Sequence, residues 1–215
     1  MSTTKKVAVI GLGNIGKGVA RNLVKGNRSV ILASRKLEDA QLLAQQLGSL
    51  ASAAEIPEAI KQAEIIILSV MFGVIKEFLA TYASALQDKI IIDPSNPVSV
   101  DENGVFKKII GEKESAGQVN SLSLPKGTKL AKAWSTLGAD TLVNAAFQKP
   151  DPAVLFYAAD DASIDTDIEQ LIRDNGFEPV KVGGLDQSIR IELFGDLNEF
   201  ALGKTVTATE AKGKI

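Results

Sequence analysis

Near its amino terminus the chain reads Val7-Ala8-Val9-Ile10-Gly11-Leu12-Gly13-Asn14-Ile15-Gly16. The four apolar residues that open this stretch predict a short strand buried on both faces, as in a parallel sheet. From Ile15 onward apolar residues recur at helical spacing until Gly26, so a helix is predicted directly after the strand. The three glycines therefore lie in the turn that joins a buried strand to a helix.

A glycine turn in this context matches the dinucleotide-binding fingerprint G-x-G-x-x-G. Gly11 allows the tight turn, Gly13 lets a pyrophosphate approach the backbone, and Gly16 allows close packing of helix and strand. The first N–H groups of the helix and the positive end of its dipole then bind the phosphates. The residues predicted to bind the cofactor in this turn are Gly11, Leu12, Gly13, Asn14, Ile15 and Gly16.

The end of the second predicted strand, residues 29–33, indicates which dinucleotide is bound. NAD-specific folds place Asp or Glu there to accept a hydrogen bond from the ribose 2′-hydroxyl. This chain has Ser34-Arg35-Lys36 instead. A carboxylate would repel a 2′-phosphate, whereas Arg35 can bind it bidentately, Ser34 can donate to it and Lys36 adds a second positive charge. The sequence therefore predicts NADP(H).

Strands alternate with helices along most of the chain, which predicts an α/β fold with a doubly wound, Rossmann-type parallel sheet. We predict an NADP-binding core over residues 1–100, a smaller α/β extension over 101–203 that completes the sheet, and a polar, frayed tail over 204–215. The other predicted strands are 65–68, 90–92, 129–134, 154–157 and 178–182, and the predicted helices include 37–47, 74–86, 164–175 and 188–202.

Two further segments follow predicted strands at their carboxyl ends, where doubly wound sheets bind ligands. In the first, Val70, Met71 and Phe72 are predicted to border the cofactor. In the second, Asn96 can hydrogen-bond a carboxamide, and Pro97 fixes the loop. Asp93, which opens the second segment, is as well suited to capping a turn as to transferring a proton.

Composition excludes several classes of function. Of the 215 residues, 45% are hydrophobic, and 24 Lys and Arg against 26 Asp and Glu give a net charge of -2. That balance provides no general attraction for nucleic acid or an anionic membrane. The absence of Cys and His excludes disulfides, the usual zinc sites, thiolate nucleophiles and a histidine base. Without a signal peptide or a membrane-spanning apolar run, we expect a cytoplasmic protein.

Several segments, taken in order, resemble the coenzyme F420-dependent NADP oxidoreductase family, which is similar to the reductase domain of the STEAP metalloreductases. Beside the glycine turn and residues 34–36, these segments are 93–97 (Asp-Pro-Ser-Asn-Pro), 132–139 (Lys-Ala-Trp-Ser-Thr-Leu-Gly-Ala) and 182–185 (Val-Gly-Gly-Leu). The resemblance covers residues 6–202, which is nearly the whole chain.

The resemblance implies direct hydride transfer between the nicotinamide of NADP(H) and a deazaflavin or flavin ring. Such a transfer needs alignment and exclusion of water rather than an acid or base, so we predict no catalytic side chain and no metal. By the resemblance, Thr136 and Leu137 line the nicotinamide side, while Trp134, Ser135 and Leu185 approach the acceptor, F420 or a flavin. A core role for Trp134 stays equally open.

Two other functions share the glycine turn. One is an imino- or hydroxy-acid reductase, although Lys132 lies in a predicted strand rather than in a catalytic helix. The other is a redox sensor that binds NADP(H) without turnover. We also expect a homodimer, because the last predicted helix carries several large apolar residues.

Overall fold

The computed structural model describes residues 4–215 and contains ten strands, nine α-helices and two 3₁₀ helices within that range. The strands are β1 (Val7–Ile10), β2 (Val30–Ala33), β3 (Ala51–Ala53), β4 (Ile65–Leu68), β5 (Ile90–Asp93), β6 (Val98–Val100), β7 (Phe106–Lys108), β8 (Lys129–Ala133), β9 (Val154–Ala159) and β10 (Glu178–Gly183). The α-helices are α1 (Asn14–Lys25), α2 (Leu37–Leu47), α3 (Ile56–Gln62), α4 (Phe72–Thr81), α5 (Ala116–Ser121), α6 (Ala139–Asn144), α7 (Asp165–Asp174), α8 (Glu199–Leu202) and α9 (Ala208–Lys212). The 3₁₀ helices are Ala162–Ile164 and Leu185–Arg190.

Eight of the strands form one sheet in the order β10-β9-β8-β5-β4-β1-β2-β3, while β6 and β7 pair as a separate antiparallel hairpin. The strands from β8 to β3 in this order are parallel, and β1 lies inside the sheet between β2 and β4. This arrangement confirms the predicted Rossmann-type fold. The division of the chain at residue 100 stays a prediction, since β8, β9 and β10 extend the same sheet.

One strand pair departs from the expected parallel sheet. β9 runs antiparallel to β8, with Lys132 opposite Ala158 and Ala133 opposite Tyr157, and β10 then pairs parallel to β9. Because β9 reverses direction, β9 and β10 end near the edge of the sheet where β8 begins. The glycine turn follows the carboxyl end of β1, so the segment after β10 starts at the opposite end of the strands.

The strands are buried because helices cover both faces of the sheet. All four residues of β1, β2, β4 and β5 are buried. Alternate side chains point to opposite faces of a strand. Val7 and Val9 accordingly join one core with residues of α1 and α7, and Ala8 and Ile10 join a second core with residues of α3 and α4. Burial on both faces explains why these strands read as continuous apolar runs.

The predicted long helix over residues 188–202 is wrong. The chain there forms the 3₁₀ helix Leu185–Arg190 and then turns, and between residues 191 and 202 only α8 is helical. Leu197 N–H donates to the carbonyl of Arg190 at 2.8 Å, which folds the segment back on itself. Leu197 is consequently buried, whereas Phe194 and Phe200 are 60% and 70% exposed. Without one apolar helix face, the argument for a homodimer loses its basis, and the homodimer stays a prediction.

The predicted frayed tail over residues 204–215 is also wrong. Val206 and Ala211 are buried against β9, and Val154 N–H donates to the carbonyl of Val206 at 2.8 Å. Thr207 and Glu210 form a capping box that starts α9. The Thr-x-x-Glu spacing was the sequence signal for this helix, but the polar composition of the segment hid it.

Several smaller elements were not predicted: the strand β3, the hairpin formed by β6 and β7, and the six-residue helices α5 and α6. Each of these strands has only three residues, too few to show a clear alternation. α4 also begins and ends earlier than expected, at Phe72 and Thr81. Within residues 4–215 no helix combines the length and the apolar character that crossing a bilayer requires.

We predict that Val206→Asp lowers the free energy of unfolding by about 2–4 kcal/mol, because it places an unpaired charge inside the core. The control is Ile215→Asp, since Ile215 is 53% exposed and its replacement is expected to change stability by less than about 0.5 kcal/mol. Urea denaturation measures both. Equal stability of the two variants would show that the terminal segment does not pack against β9.

Candidate functional site

The three glycines of the first turn have three different surroundings. A Cβ atom at Gly11 would lie 2.1 Å from the carbonyl oxygen of Ser69, and the φ angle of Gly11 is +94°. A Cβ atom at Gly16 would lie 2.0 Å from the carbonyl oxygen of Gly11. At Gly13 a Cβ atom would meet nothing within 4 Å. The first and third glycines are therefore required by backbone packing, while the second faces open space where a phosphate fits.

The start of α1 is suited to an anion. No side chain caps this end of the helix, whose N-cap is Gly13, and the first turn contains no acidic residue. The first N–H groups of a helix have no partner within the helix, and its dipole is positive at this end. In the twelve-residue α1 these groups lie at the open side of the glycine turn, so the turn fits the pyrophosphate of a dinucleotide.

The structure brings Ser34, Arg35 and Lys36 to the side of the glycine turn. Gly11 N–H donates to the carbonyl of Ala33, the last residue of β2, at 2.9 Å. Arg35 and Lys36 are exposed, and neither joins an ion pair in the described part of the chain. Their charges remain available for a 2′-phosphate.

Ser34 makes a local contact in this structure, and its predicted hydrogen bond to a 2′-phosphate stays a prediction. Its hydroxyl donates to the carbonyl of Lys36 at 2.6 Å, so it holds the local turn. A hydrogen bond from Ser34 to a phosphate would require this contact to break. The cationic side chains beside it therefore provide most of the recognition that this loop offers to an anion.

The loop after β4 supports the glycine turn on its other side. Ser69 N–H donates to the carbonyl of Ile10 at 2.8 Å, and Val70 lies within contact distance of Gly11. Met71 is 74% exposed and caps α4, and Phe72 begins that helix half-buried. The predicted cofactor residues of this loop thus lie beside the glycine turn, and their contacts with a cofactor stay predictions.

The loop after β5 rests on a buried ion pair. The carboxylate of Asp93 accepts from Asn120 Nδ2 at 2.8 Å, from Lys132 Nζ at 3.2 Å and from the backbone N–H of Ser95 at 2.7 Å. Lys132 Nζ also donates to the carbonyl of Ser95. Asp93 and Lys132 are both fully buried, so each offsets the other's charge. Asp93 therefore caps a turn and binds a lysine. Of the two roles considered for this residue, these contacts correspond to the structural one.

Asn96 joins three loops of the site. Its Nδ2 donates to the carbonyl of Ser135 at 3.2 Å, and its Oδ1 accepts from the backbone N–H of Leu193 at 2.7 Å. Pro97, next to it, is buried. Asn96 thus links the ends of β5 and β8 to the segment that precedes α8, and its predicted bond to a carboxamide stays a prediction.

The residues after β8 are buried at the same edge of the sheet. Ser135, Thr136 and Leu137 are 2%, 2% and 6% exposed. The Oγ1 atom of Thr136 has no hydrogen-bond partner among the described residues. A buried hydroxyl without a partner is unfavourable unless a ligand or water completes it, so Thr136 is a good candidate for contact with the cofactor.

Trp134 and Leu185 lie away from any open cleft. The Trp134 ring is fully buried, and its Nε1–H donates to Asn175 Oδ1 at 3.1 Å, which corresponds to the core role. Leu185 N–H donates to Asp160, which follows β9, at 2.7 Å. Because β9 runs antiparallel, Leu185 packs over the first half of β8 beside Leu130. The resemblance alone could not show this reversal.

Sequence reasoning missed a cavity of about 570 Å³ between the β6–β7 hairpin and residues 189–196. Phe106, Leu193 and Phe194 provide its apolar lining, and the contact from Leu193 to Asn96 connects it to the end of β5. Its volume lies in the range typical of small-molecule sites. The local sequence pattern does not predict this cavity, because it indicates a helix over residues 188–202 and no regular element around Phe106.

The described residues offer few groups for acid–base or metal chemistry. Between residues 4 and 215 no three carboxylates lie together as a metal site would require. Burial raises the pKa of Tyr157 well above its usual value, and its hydroxyl contacts Glu169 at 3.1 Å. Tyr157 is therefore unsuited to transferring protons near neutral pH.

Residues 6–97 match the model of the family described as NADP oxidoreductase, coenzyme F420-dependent. The predicted resemblance to this family is confirmed. An F420-dependent NADP reductase of Methanothermobacter thermautotrophicus is 25% identical over 198 residues, which cover 87% of this chain and 84% of that protein. The relation to the STEAP reductase domain stays a prediction.

Solved structures of similar proteins share the fold over almost their full length. A hypothetical protein of Sinorhizobium meliloti is 25% identical with a TM-score of 0.81, covering 94% of this chain and 95% of that one. A candidate F420-dependent NADP reductase of Arthrobacter sp. is 19% identical with a TM-score of 0.72, covering 93% and 96%. The likeness therefore includes the residues after β5, beyond the part matched by the family model.

We predict that Gly13→Ala and Gly16→Ala separate binding from stability. Gly13→Ala adds a methyl group to open space, so it should change stability by less than about 1 kcal/mol but weaken NADPH binding at least about 10-fold. Gly16→Ala forces the turn apart and should lower stability by about 2 kcal/mol or more. Denaturation and NADPH titration of both variants test this, and unchanged NADPH affinity in Gly13→Ala would contradict it.

Proposed function

We propose that this protein is an NADP(H)-dependent oxidoreductase that transfers hydride between the nicotinamide and a flavin-like or deazaflavin acceptor. The observation that carries the proposal is the glycine turn, whose three glycines have the three environments that a bound pyrophosphate requires. The oxidoreductase class is that of the family whose model the chain matches and of its curated relative.

The residues present fit NADP(H) better than NAD(H). The N–H groups at the start of α1 would hold the pyrophosphate, and Arg35 and Lys36 would hold the 2′-phosphate beside them. No carboxylate stands at positions 34–36 to favour an unmodified ribose. Glu38 and Asp39 lie in the first turn of α2, where acidic residues stabilise the helix dipole.

The bound nicotinamide supplies the hydride chemistry, so the protein's part is to align the two rings and exclude water. The buried charged residues at this edge of the sheet have structural contacts, as expected if the protein only aligns the rings. Asp93 and Lys132 neutralise each other beneath the loop of residues 94–97, where they fix its shape. This pairing also argues against the imino-acid reductase alternative, because Lys132 is committed to a structural contact rather than to an open cleft.

The cavity beside Leu193 and Phe194 is the best site for the acceptor. Its apolar lining suits an aromatic ring, and its volume of about 570 Å³ accommodates one of flavin size. The three basic side chains that line it already have partners, and Lys108 Nζ donates to the carbonyls of Glu112 and Glu114. Arg190 pairs with Asp196 at 2.8 Å, and Lys107 pairs with Asp101 at 3.1 Å. Of the acceptor residues implied by the resemblance, Ser135 is linked to this cavity by hydrogen bonds. Its carbonyl accepts from Asn96, which also contacts Leu193 of the cavity lining.

We predict that Arg35→Glu weakens NADPH binding about 10- to 100-fold and leaves NADH binding within about 2-fold. The variant removes a charge-assisted contact to the 2′-phosphate and adds a repulsion, whereas NADH carries no phosphate there. Fluorescence titration with both cofactors measures the two dissociation constants.

The control for Arg35→Glu is Lys61→Glu, which makes the same change of charge on the exposed end of α3, next to the start of β4. Lys61→Glu should leave both affinities unchanged. Equal losses for NADPH and NADH in Arg35→Glu would show that this residue does not recognise the 2′-phosphate.

The proposed reaction is tested by following the loss of reduced-nicotinamide absorbance with F420, FMN, riboflavin or a ferric chelate as acceptor. We expect preferential oxidation of NADPH over NADH with a deazaflavin or flavin. Tight binding of NADPH without turnover by any acceptor would favour the redox sensor instead. Failure to bind either cofactor would overturn the proposal.

A further inference from the structure

The described part of the chain contains two buried side-chain polar atoms without a hydrogen-bond partner, and they lie on adjacent loops. They are Ser95 Oγ and Thr136 Oγ1, in residues that are 6% and 2% exposed. Ser95 follows β5 and Thr136 follows β8, two strands that pair in parallel with Asp93 opposite Lys132. Asn96 joins the two loops through its bond to the carbonyl of Ser135.

The backbone of Ser95 is held on both sides by buried charges. Its N–H donates to Asp93 Oδ1 at 2.7 Å, and its carbonyl accepts from Lys132 Nζ. The next side chain, Asn96, is fixed by contacts with Ser135 and Leu193. These contacts fix the backbone of Ser95, while its side-chain hydroxyl is uncommitted and can change rotamer toward a ligand. A preorganised backbone of this kind loses little conformational entropy when the hydroxyl binds a ligand.

The strand order indicates which end of the dinucleotide lies near these hydroxyls. The glycine turn follows β1, and Arg35 follows β2 on one side of it. A cofactor whose 2′-phosphate lies over β2 and whose pyrophosphate lies over β1 must extend in the other direction, past β4 to β5 and β8. Neighbouring strands are about 4.8 Å apart, so the ends of β5 and β8 lie about 10 and 15 Å from β1. That is the nicotinamide side.

We propose that the Ser95 hydroxyl, together with that of Thr136, binds the carboxamide of the nicotinamide. This assignment rests on the proposed function and adds Ser95, which lies in segment 93–97 but is not among the site residues predicted from the sequence. A carboxamide presents one acceptor and one NH₂ donor, and a hydroxyl can either donate or accept, so two hydroxyls can satisfy both of its groups. The buried Asp93–Lys132 pair acts beneath them by positioning Ser95.

A hydroxyl that serves a ligand differs from one that serves the fold in its effect on stability. Removing a hydroxyl that has no partner in the free protein should not destabilise it, since no hydrogen bond is lost. Ser188 provides the matched contrast: it is fully buried and donates to Glu192 Oε1 at 2.7 Å. Ser95→Ala should leave the melting temperature unchanged or raised, whereas Ser188→Ala should lower it.

The test compares NADPH with 2′-phospho-ADP-ribose, which lacks the nicotinamide. Ser95→Ala should raise the dissociation constant of NADPH about 3- to 10-fold, the usual effect of one hydrogen bond, and leave that of the fragment unchanged. Thr136→Val should act in the same direction. Arg35→Glu should weaken both ligands, which confirms that the fragment reports on the phosphate end.

Several outcomes would overturn the assignment. These are equal losses for NADPH and the fragment, unchanged NADPH affinity, an increase only in the KM of the acceptor, or a melting temperature for Ser95→Ala as low as that of Ser188→Ala. If the unmodified protein binds neither NADPH nor the fragment, the proposed function itself fails. Normal binding by the unmodified protein with an unaffected Ser95→Ala variant rejects the Ser95 assignment alone.

Discussion

The carbonyl oxygen of Ser69 lies so close to the backbone at Gly11 that no side chain fits between them. This close approach allows β1 to end against the loop after β4 while the chain turns into α1. Gly16 removes the corresponding obstacle on the helix side, where a Cβ atom would meet the carbonyl of Gly11. The first N–H groups of α1 then face the open side of the turn. The proposed position of the pyrophosphate there determines where the other parts of the cofactor lie.

A second constraint operates at the ends of β5 and β8. A buried lysine or aspartate alone would be very unfavourable, but Lys132 and Asp93 neutralise each other, with Asn120 and the backbone of Ser95 completing the carboxylate's hydrogen bonds. The pair fixes the loop that carries Ser95 and Asn96. The site thus combines an open, exposed cationic end beside β2 with a buried, rigid end beside β5 and β8. Such an arrangement suits a ligand that is charged at one end and requires exclusion of water at the other.

The third part of the site depends on the reversal of β9. Because β9 runs antiparallel to β8, the Gly-Gly-Leu segment after β10 starts over the first half of β8, and the chain must return across the face of the sheet. That return brings Leu193 to Asn96 and Phe194 to the hairpin formed by β6 and β7. A cavity results between segments that are far apart in sequence. Of the three residues that the family resemblance implies for the acceptor, Trp134 and Leu185 are buried in the core.

The sequence by itself determined the strands β1, β2, β4 and β5, the helices α1 and α2, the glycine turn and the cationic segment that follows β2. These features follow from local patterns: continuous apolar runs, helical spacing, and glycine or charge at a fixed distance from a strand end. Only the tertiary structure decided that Lys132 neutralises Asp93, that Leu193 reaches Asn96, that Ser95 is left with an uncommitted hydroxyl, and that Val206 is buried. The first two contacts join residues 39 and 97 positions apart. Contacts at such separations depend on strand order and strand direction, which no local pattern encodes.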